Sequence, residues 1–124
     1  MLKYADPSKP FILTTDASDF AISGALSQIN ENNEEQVIIF ISRILKACEK
    51  SYFTTEKEML AIVYSLVKLE GYLRGAKEII LRTDHAALTF LKTCRFSNAR
   101  LRRWNLGIQD FNIKPEHIAG EKMQ

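Results

Sequence analysis

One change of period constrains this chain more than any other feature. Residues 11–42 carry short apolar runs that alternate or are rich in β-branched side chains. Between Thr55 and about Leu73 the apolar residues fall instead at Met59, Ile62, Val63, Leu66, Leu69 and Leu73. Those positions share one face of a helix. Another short apolar run, Glu78–Thr83, follows. A strand that follows a long helix is reached by a crossover, so it pairs parallel with an earlier strand. The strands before the helix are joined by short polar turns and form an antiparallel meander.

The individual elements follow from local chemistry. Phe11–Thr15 reads as a strand and Asp16–Asp19 as a turn. Ala21–Ile29 reads as a second strand, with Gly24 marking a bulge or a close approach. Residues 30–35 ("NENNEE") form a polar hairpin loop, and Gln36–Ser42 is a third strand. Gly75 is placed to cap the long helix, which contains Gly71 near its end. Two further helices are expected, one over Ala86–Leu91 and one capped by Ser97 or Asn98. The second presents Leu101, Trp104 and Ile108 on one face, which puts Trp104 in the core. Phe111–Ile118 is a weakly alternating fifth strand. The result is an α/β domain: a five-stranded mixed sheet, its first three strands antiparallel, with helices packed on it.

Composition narrows the class. With 124 residues, 46% hydrophobic, the chain can build a single core. Its charged fraction of 26% is ordinary, which excludes an extended disordered chain, and a net charge of +2 selects no partner by bulk electrostatics. Cys48 and Cys94 are isolated, which suits a reduced intracellular protein better than a disulfide-stapled secreted one. No apolar run reaches the roughly 18 residues of a membrane span. The polar, proline-containing start ("MLKYADPSKP") reads as a linker.

The chemistry concentrates in carboxylates. Asp16 follows "FILTT" and Asp84 follows "EIILRT": an apolar run, a threonine, then an aspartate at the strand's C-terminal end. If the two strands are neighbours, both acids share the sheet edge where α/β proteins bind ligands. On the long helix, Glu58 borders the apolar face; Glu56 lies nearer that face but in the first turn, and helical geometry does not separate them. Each acid also has a plain structural use. Asp16 suits a turn, Asp84 an N-cap, and Glu58 a capping box with Thr55. Three convergent carboxylates repel one another and are relieved by a hard divalent cation, Mg²⁺ or Mn²⁺. Two such ions roughly 3.5–4 Å apart serve phosphodiester hydrolysis.

Several stretches together resemble one family. They are "TTDASDFAISGALSQ", "ISRILKACEKSYFTTEKEMLAIVYSLVKLEGYLRG", "ILRTDHAALTFL" and "RLRRWNLGIQDFNIKPEHIAG". In this order they resemble the ribonuclease H domain of gypsy-class LTR retrotransposon Pol polyproteins, over about residues 8–122. The resemblance implies the ribonuclease H fold and two-metal hydrolysis of the RNA strand in an RNA/DNA hybrid. It implies Asp16, Glu58 and Asp84 as catalytic, metal-holding acids, favours Glu58 over Glu56, and implies two Mg²⁺ ions with Mn²⁺ as a substitute. Residues 1–9 become the linker from a preceding reverse transcriptase, and 10–124 a ribonuclease H domain truncated at its C-terminus. The family's fourth acid follows a segment that reads Gly120-Glu-Lys-Met123 here, and the sequence ends at Gln124 before it. The implied setting is cytoplasmic, in virus-like particles, beside the reverse transcriptase domain of the same polyprotein.

Substrate contacts are expected on either side of the acids. Lys92, Arg95, Arg100, Arg102 and Arg103 lie close together, with Phe96 and Trp104 among them. Such a stretch suits phosphates and sugars, or simply a solvated helix face. Ser18, Thr55 and His85 adjoin the acids and are candidate contacts to 2′-hydroxyls, which a hybrid nuclease must read. For His85 a helix-start role is favoured. His117 is a candidate general acid, with a place in the last strand as the competing reading. Two other functions compete with the nuclease: a non-catalytic hybrid-binding tether of the same fold, and a DNA-processing enzyme of the wider fold, which the family signature disfavours.

Overall fold

The computed structural model describes residues 5, 6, 8–83, 103, 111 and 113–117. Five strands form one sheet: β1 (Phe11–Ala17), β2 (Ala21–Ile29), β3 (Glu35–Ile44), β4 (Ile79–Thr83) and β5 (Ile113–His117). Their spatial order is β3-β2-β1-β4-β5. The first three strands pair antiparallel, whereas β4 runs parallel to β1 and β5 parallel to β4. This is the expected mixed sheet. The helix expected over Ala86–Leu91 and the one expected to be capped by Ser97 or Asn98 lie outside the described residues, apart from Arg103, which is helical and exposed.

Helix α1 (Thr54–Lys68) packs across β1 and β2. Its face, Met59, Ile62 and Leu66, meets Phe11, Leu13, Leu26, Ile79 and Leu81 of the sheet in one buried cluster. Each such side chain contributes roughly 1.5–3 kcal/mol when removed from water. The periodic stretch 55–73 is not one helix, however. The backbone leaves helical geometry at Leu69 (φ −103°, ψ 19°), and a separate turn, α2 (Glu70–Leu73), follows. Gly71 makes this stretch a poor helix interior by about 1 kcal/mol, while the break still buries both Leu69 and Leu73 in the core. Gly75 then takes φ +86°, the left-handed conformation that ends a helix.

Three other boundaries differ from expectation. β1 continues through Ala17, so Asp16 pairs with Ser23 of β2 as a strand residue and the turn begins only at Ser18. β3 extends to Ile44 because its whole length pairs with β2, although Phe40 and Ile44 stay exposed. The irregularity in the β2–β3 pairing falls opposite Leu26 and Ser27, not at Gly24: these pair with Ile39 and Val37, so the extra residue, Ile38, is on β3. Gly24 is instead a close approach: a Cβ there would lie 2.1 Å from the Ser65 hydroxyl of α1. The hairpin loop is closed by Asn30, whose side chain accepts from the amides of Asn32 and Glu34 (2.9 and 3.0 Å).

Polar contacts fix the sheet's margins. Gln28 of β2 is buried and donates to the carbonyl of Asp6, while accepting from the Asp6 amide (2.8 and 3.0 Å). The segment expected to be a linker is therefore pinned to the sheet over its described residues. Arg82 of β4 donates to Glu35 of β3 and Glu116 of β5 (2.6 and 2.8 Å). Between β3 and α1, Arg43 makes a two-pronged bond to Glu49 (2.7 and 2.9 Å), and Glu49 also accepts from the Lys46 amide. Arg43 further lies over the Tyr64 ring of α1, 5.3 Å from its centre.

The bond to Arg43 holds the buried Glu49 carboxyl down at about 2, from an ordinary 4.5. A depressed carboxyl stabilises the fold above its ordinary range, and that stabilisation fades as pH falls through the window from 4.5 to 2. Glu49→Gln should cost ~1.5–3 kcal/mol near neutral pH, the scale of a hydrogen bond to a charged group. The gap between variant and wild type should close towards about pH 2, where Glu49 is protonated. Urea midpoints at the two pH extremes check this.

Candidate active site

The site is built where β1, β4 and the start of α1 come together. β1 and β4 run parallel with Thr14 level with Arg82. One residue further on, the Thr15 hydroxyl donates to the Thr83 hydroxyl at 3.0 Å, and both threonines are buried. Each is followed directly by an aspartate. Asp16 is exposed at the end of β1, on the rim of a small hollow of about 100 Å³ lined by Ala17, Ser18, Ala21, Ile22 and Ser23. Asp84 lies outside the described residues.

Glu58 is half-buried in the second turn of α1. The other glutamate of that turn region has a distinct task. Glu56 is buried, and its carboxylate accepts from the Phe53 amide at 3.0 Å, closing the N-terminus of the helix. The helix starts two residues before the Thr55–Glu58 pair considered for a capping box: the N-cap is Phe53, whose ring accepts no hydrogen bond, and only the bond from its amide to Glu56 is made. Among the described residues no three acid, histidine or cysteine side chains gather into a metal-sized cluster. Asp16 and Glu58 are the two candidate acids within that set.

The turn after Asp16 is tightly organised. The Ser18 amide donates to the Ala21 carbonyl (2.8 Å), and the Ser18 hydroxyl accepts from the amides of Phe20 and Ala21 (3.2 and 3.1 Å). Ser18 is thus committed to the turn rather than held out towards a ligand. Asp19, at the tip, reaches the Lys57 ammonium of α1 (3.4 Å). Thr55 is half-buried at the start of the helix. His85 and Arg100 lie outside the described residues, as do Lys92, Arg95, Arg102 and Trp104. His117 is in β5 as expected, its backbone level with Thr83.

Lys57 and the two threonines did not stand out in the sequence as part of this site. The threonine before each aspartate was visible there, but a hydrogen bond across 68 residues was not. Lys57 was marked only by being a cation between two glutamates. A second hollow, about 410 Å³, lies at the far end of the sheet and is lined by Asp6, Lys9, Gln28 and Asn30 among others. It is the larger of the two, yet it holds none of the candidate acids.

Sheet order, strand directions and the helix across β1 define a ribonuclease H-like α/β domain. The chain belongs to the RNase H-like domain family found in reverse transcriptase, whose sequence pattern matches residues 6–111. It is 45% identical over 122 residues to the retrovirus-related Pol polyprotein from transposon gypsy of Drosophila melanogaster. That alignment covers 98% of this chain and 11% of the polyprotein, so the chain spans about a tenth of that relative. Among solved structures it resembles a foamy viral protease-reverse transcriptase in complex with RNA/DNA hybrid: TM-score 0.68, 17% identity, 96% of this chain and 16% of that one. It also resembles the RNase H1 of Halobacterium salinarum: TM-score 0.64, 13% identity, 90% of this chain and 87% of that one. At these identities the structural likeness speaks for the fold. No helix among the described residues is long and apolar enough to cross a membrane.

The buried threonine pair has a testable energy. Thr15→Val keeps the shape and strands the Thr83 hydroxyl, which should cost ~1–3 kcal/mol. The double change Thr15→Val, Thr83→Val removes both partners and should recover most of that loss. Denaturant titration of the three proteins measures both steps.

Proposed function

We propose that this domain is a metal-dependent endoribonuclease that hydrolyses the RNA strand of RNA/DNA hybrids as part of a reverse transcriptase. The observation that carries the reading is the Thr15–Thr83 hydrogen bond. It holds together the C-terminal ends of two parallel strands, each of which continues into an aspartate, beside the helix that carries Glu58. Asp16, Glu58 and Asp84 are the proposed metal-holding acids.

The donor set fits a hard cation. Among the described residues, the hollow beside Asp16 is lined by carboxylate and hydroxyl oxygens and by no thiol or imidazole. Two Mg²⁺ ions, or Mn²⁺ in their place, would there supply an activated water and stabilise the leaving oxygen of a phosphodiester. The protein's part is preorganisation. β1 and α1 present carboxylates from rigid elements, and the closed Ser18 turn keeps the end of β1 in place. The exposed Arg103 belongs to the basic stretch proposed to meet hybrid phosphates. Thr55 and His85 remain proposed contacts to the RNA strand, whereas Ser18 serves the turn that presents Asp16. A hybrid-bound foamy viral relative of the same fold supports the substrate class. Membership of a domain family found in reverse transcriptase supports that enzyme as covalent neighbour; the proposed setting is cytoplasmic, in virus-like particles.

A labelled RNA/DNA hybrid incubated with Mg²⁺ tests the proposal. Wild type should cut the RNA strand. Asp16→Asn should cut at least about 10²-fold more slowly, the scale of losing one preorganised electrostatic group. Equal rates would remove Asp16 from the site. A wild type that retains the hybrid without cutting it would indicate a tether instead.

A further inference from the structure

Lys57 is at odds with its surroundings. Lysine is almost never buried without a partner, yet Lys57 is only 8% exposed. Among the described residues its ammonium pairs with Asp19, a carboxylate whose side chain is 87% exposed. An ion pair so open to solvent contributes little to stability. Its placement is more informative than its energy. Asp19 lies three residues after Asp16, in a turn whose amides are tied by Ser18. Lys57 is the immediate neighbour of Glu58 on α1. A packed contact already joins the two elements further in, where Ile22 meets Leu60 and Ala61. The ion pair adds a second tie at the open end, next to both acids.

We propose that the Lys57–Asp19 pair is a strap that fixes the Asp16 carboxylate relative to the Glu58 carboxylate, making both its members positioning residues for the cation site. This rests on the metal-site reading above. Burial packs α1 against β1 and β2 further in; the tie to Asp19 holds the exposed turn after Asp16 against the helix residue next to Glu58. Direct phosphate binding by Lys57 is the competing use of the same ammonium, and Asp19 would then be dispensable.

Charge separates the strap from simple electrostatics. Removing the Lys57 cation should tighten a nearby divalent ion by Coulomb's law, and removing the Asp19 anion should weaken it. A strap predicts the same sign for both. The test is calorimetric titration of the whole chain with Mn²⁺, without nucleic acid. Asp19→Asn and Lys57→Met should each weaken binding, by up to about fivefold, the reach of an exposed ion pair. The double variant should be no weaker than either single one, and Lys57→Arg should bind as wild type. Opposite shifts from the two single variants, or a loss confined to Lys57→Met, would overturn the strap. Asp16→Asn separates the two claims. If Asp16→Asn leaves Mn²⁺ binding unchanged, the metal-site reading fails and the strap with it. If Asp16→Asn weakens binding while Asp19→Asn does not, the strap alone fails.

Discussion

The parallel pairing of β1 with β4 is the contact on which the rest depends. Parallel neighbours need a crossover, and here α1 provides it while covering β1 and β2. The same pairing sends both strands out of the sheet at one end. A buried hydroxyl-to-hydroxyl bond between Thr15 and Thr83 closes that end just before the chain turns acidic. A structural demand and a proposed chemical use thus coincide at one short stretch of backbone.

The surrounding polar contacts divide into two kinds. Glu49 with Arg43, Gln28 with Asp6, and Arg82 with Glu35 and Glu116 tie elements together away from the acids. Their carboxylates and amides are paired, so they serve architecture. Glu56 belongs with them, since it caps α1 through the Phe53 amide. Asp16 is exposed at the end of β1, and Glu58 is half-buried in the second turn of α1.

Much of this was legible in the amino-acid sequence because burial is periodic. The continuous apolar run of β1, the alternation of β2 and the helical spacing of Met59, Ile62 and Leu66 mark core-facing residues directly, and those residues are buried. The resemblance carried by the motifs around Asp16, Glu58 and Asp84 led to the family to which the chain belongs. What was illegible depends on distant partners. Asp16 looked like part of a turn because turn chemistry is local, whereas its pairing with Ser23 is set by the whole hairpin. The break at Leu69 and the extension of β3 to Ile44 follow from packing and strand pairing, not propensity. Lys57 meets a residue 38 positions away, and no local pattern announces such a pair.

The central claim is that the carboxylates at the ends of β1 and on α1 form one cation site. The most direct measurement is the anomalous difference map of a crystal soaked in Mn²⁺. The account predicts a peak bounded by the carboxylate oxygens of Asp16 and Glu58, beside the Thr15–Thr83 pair. A map in which Mn²⁺ binds elsewhere on the protein and leaves both carboxylates bare would contradict it.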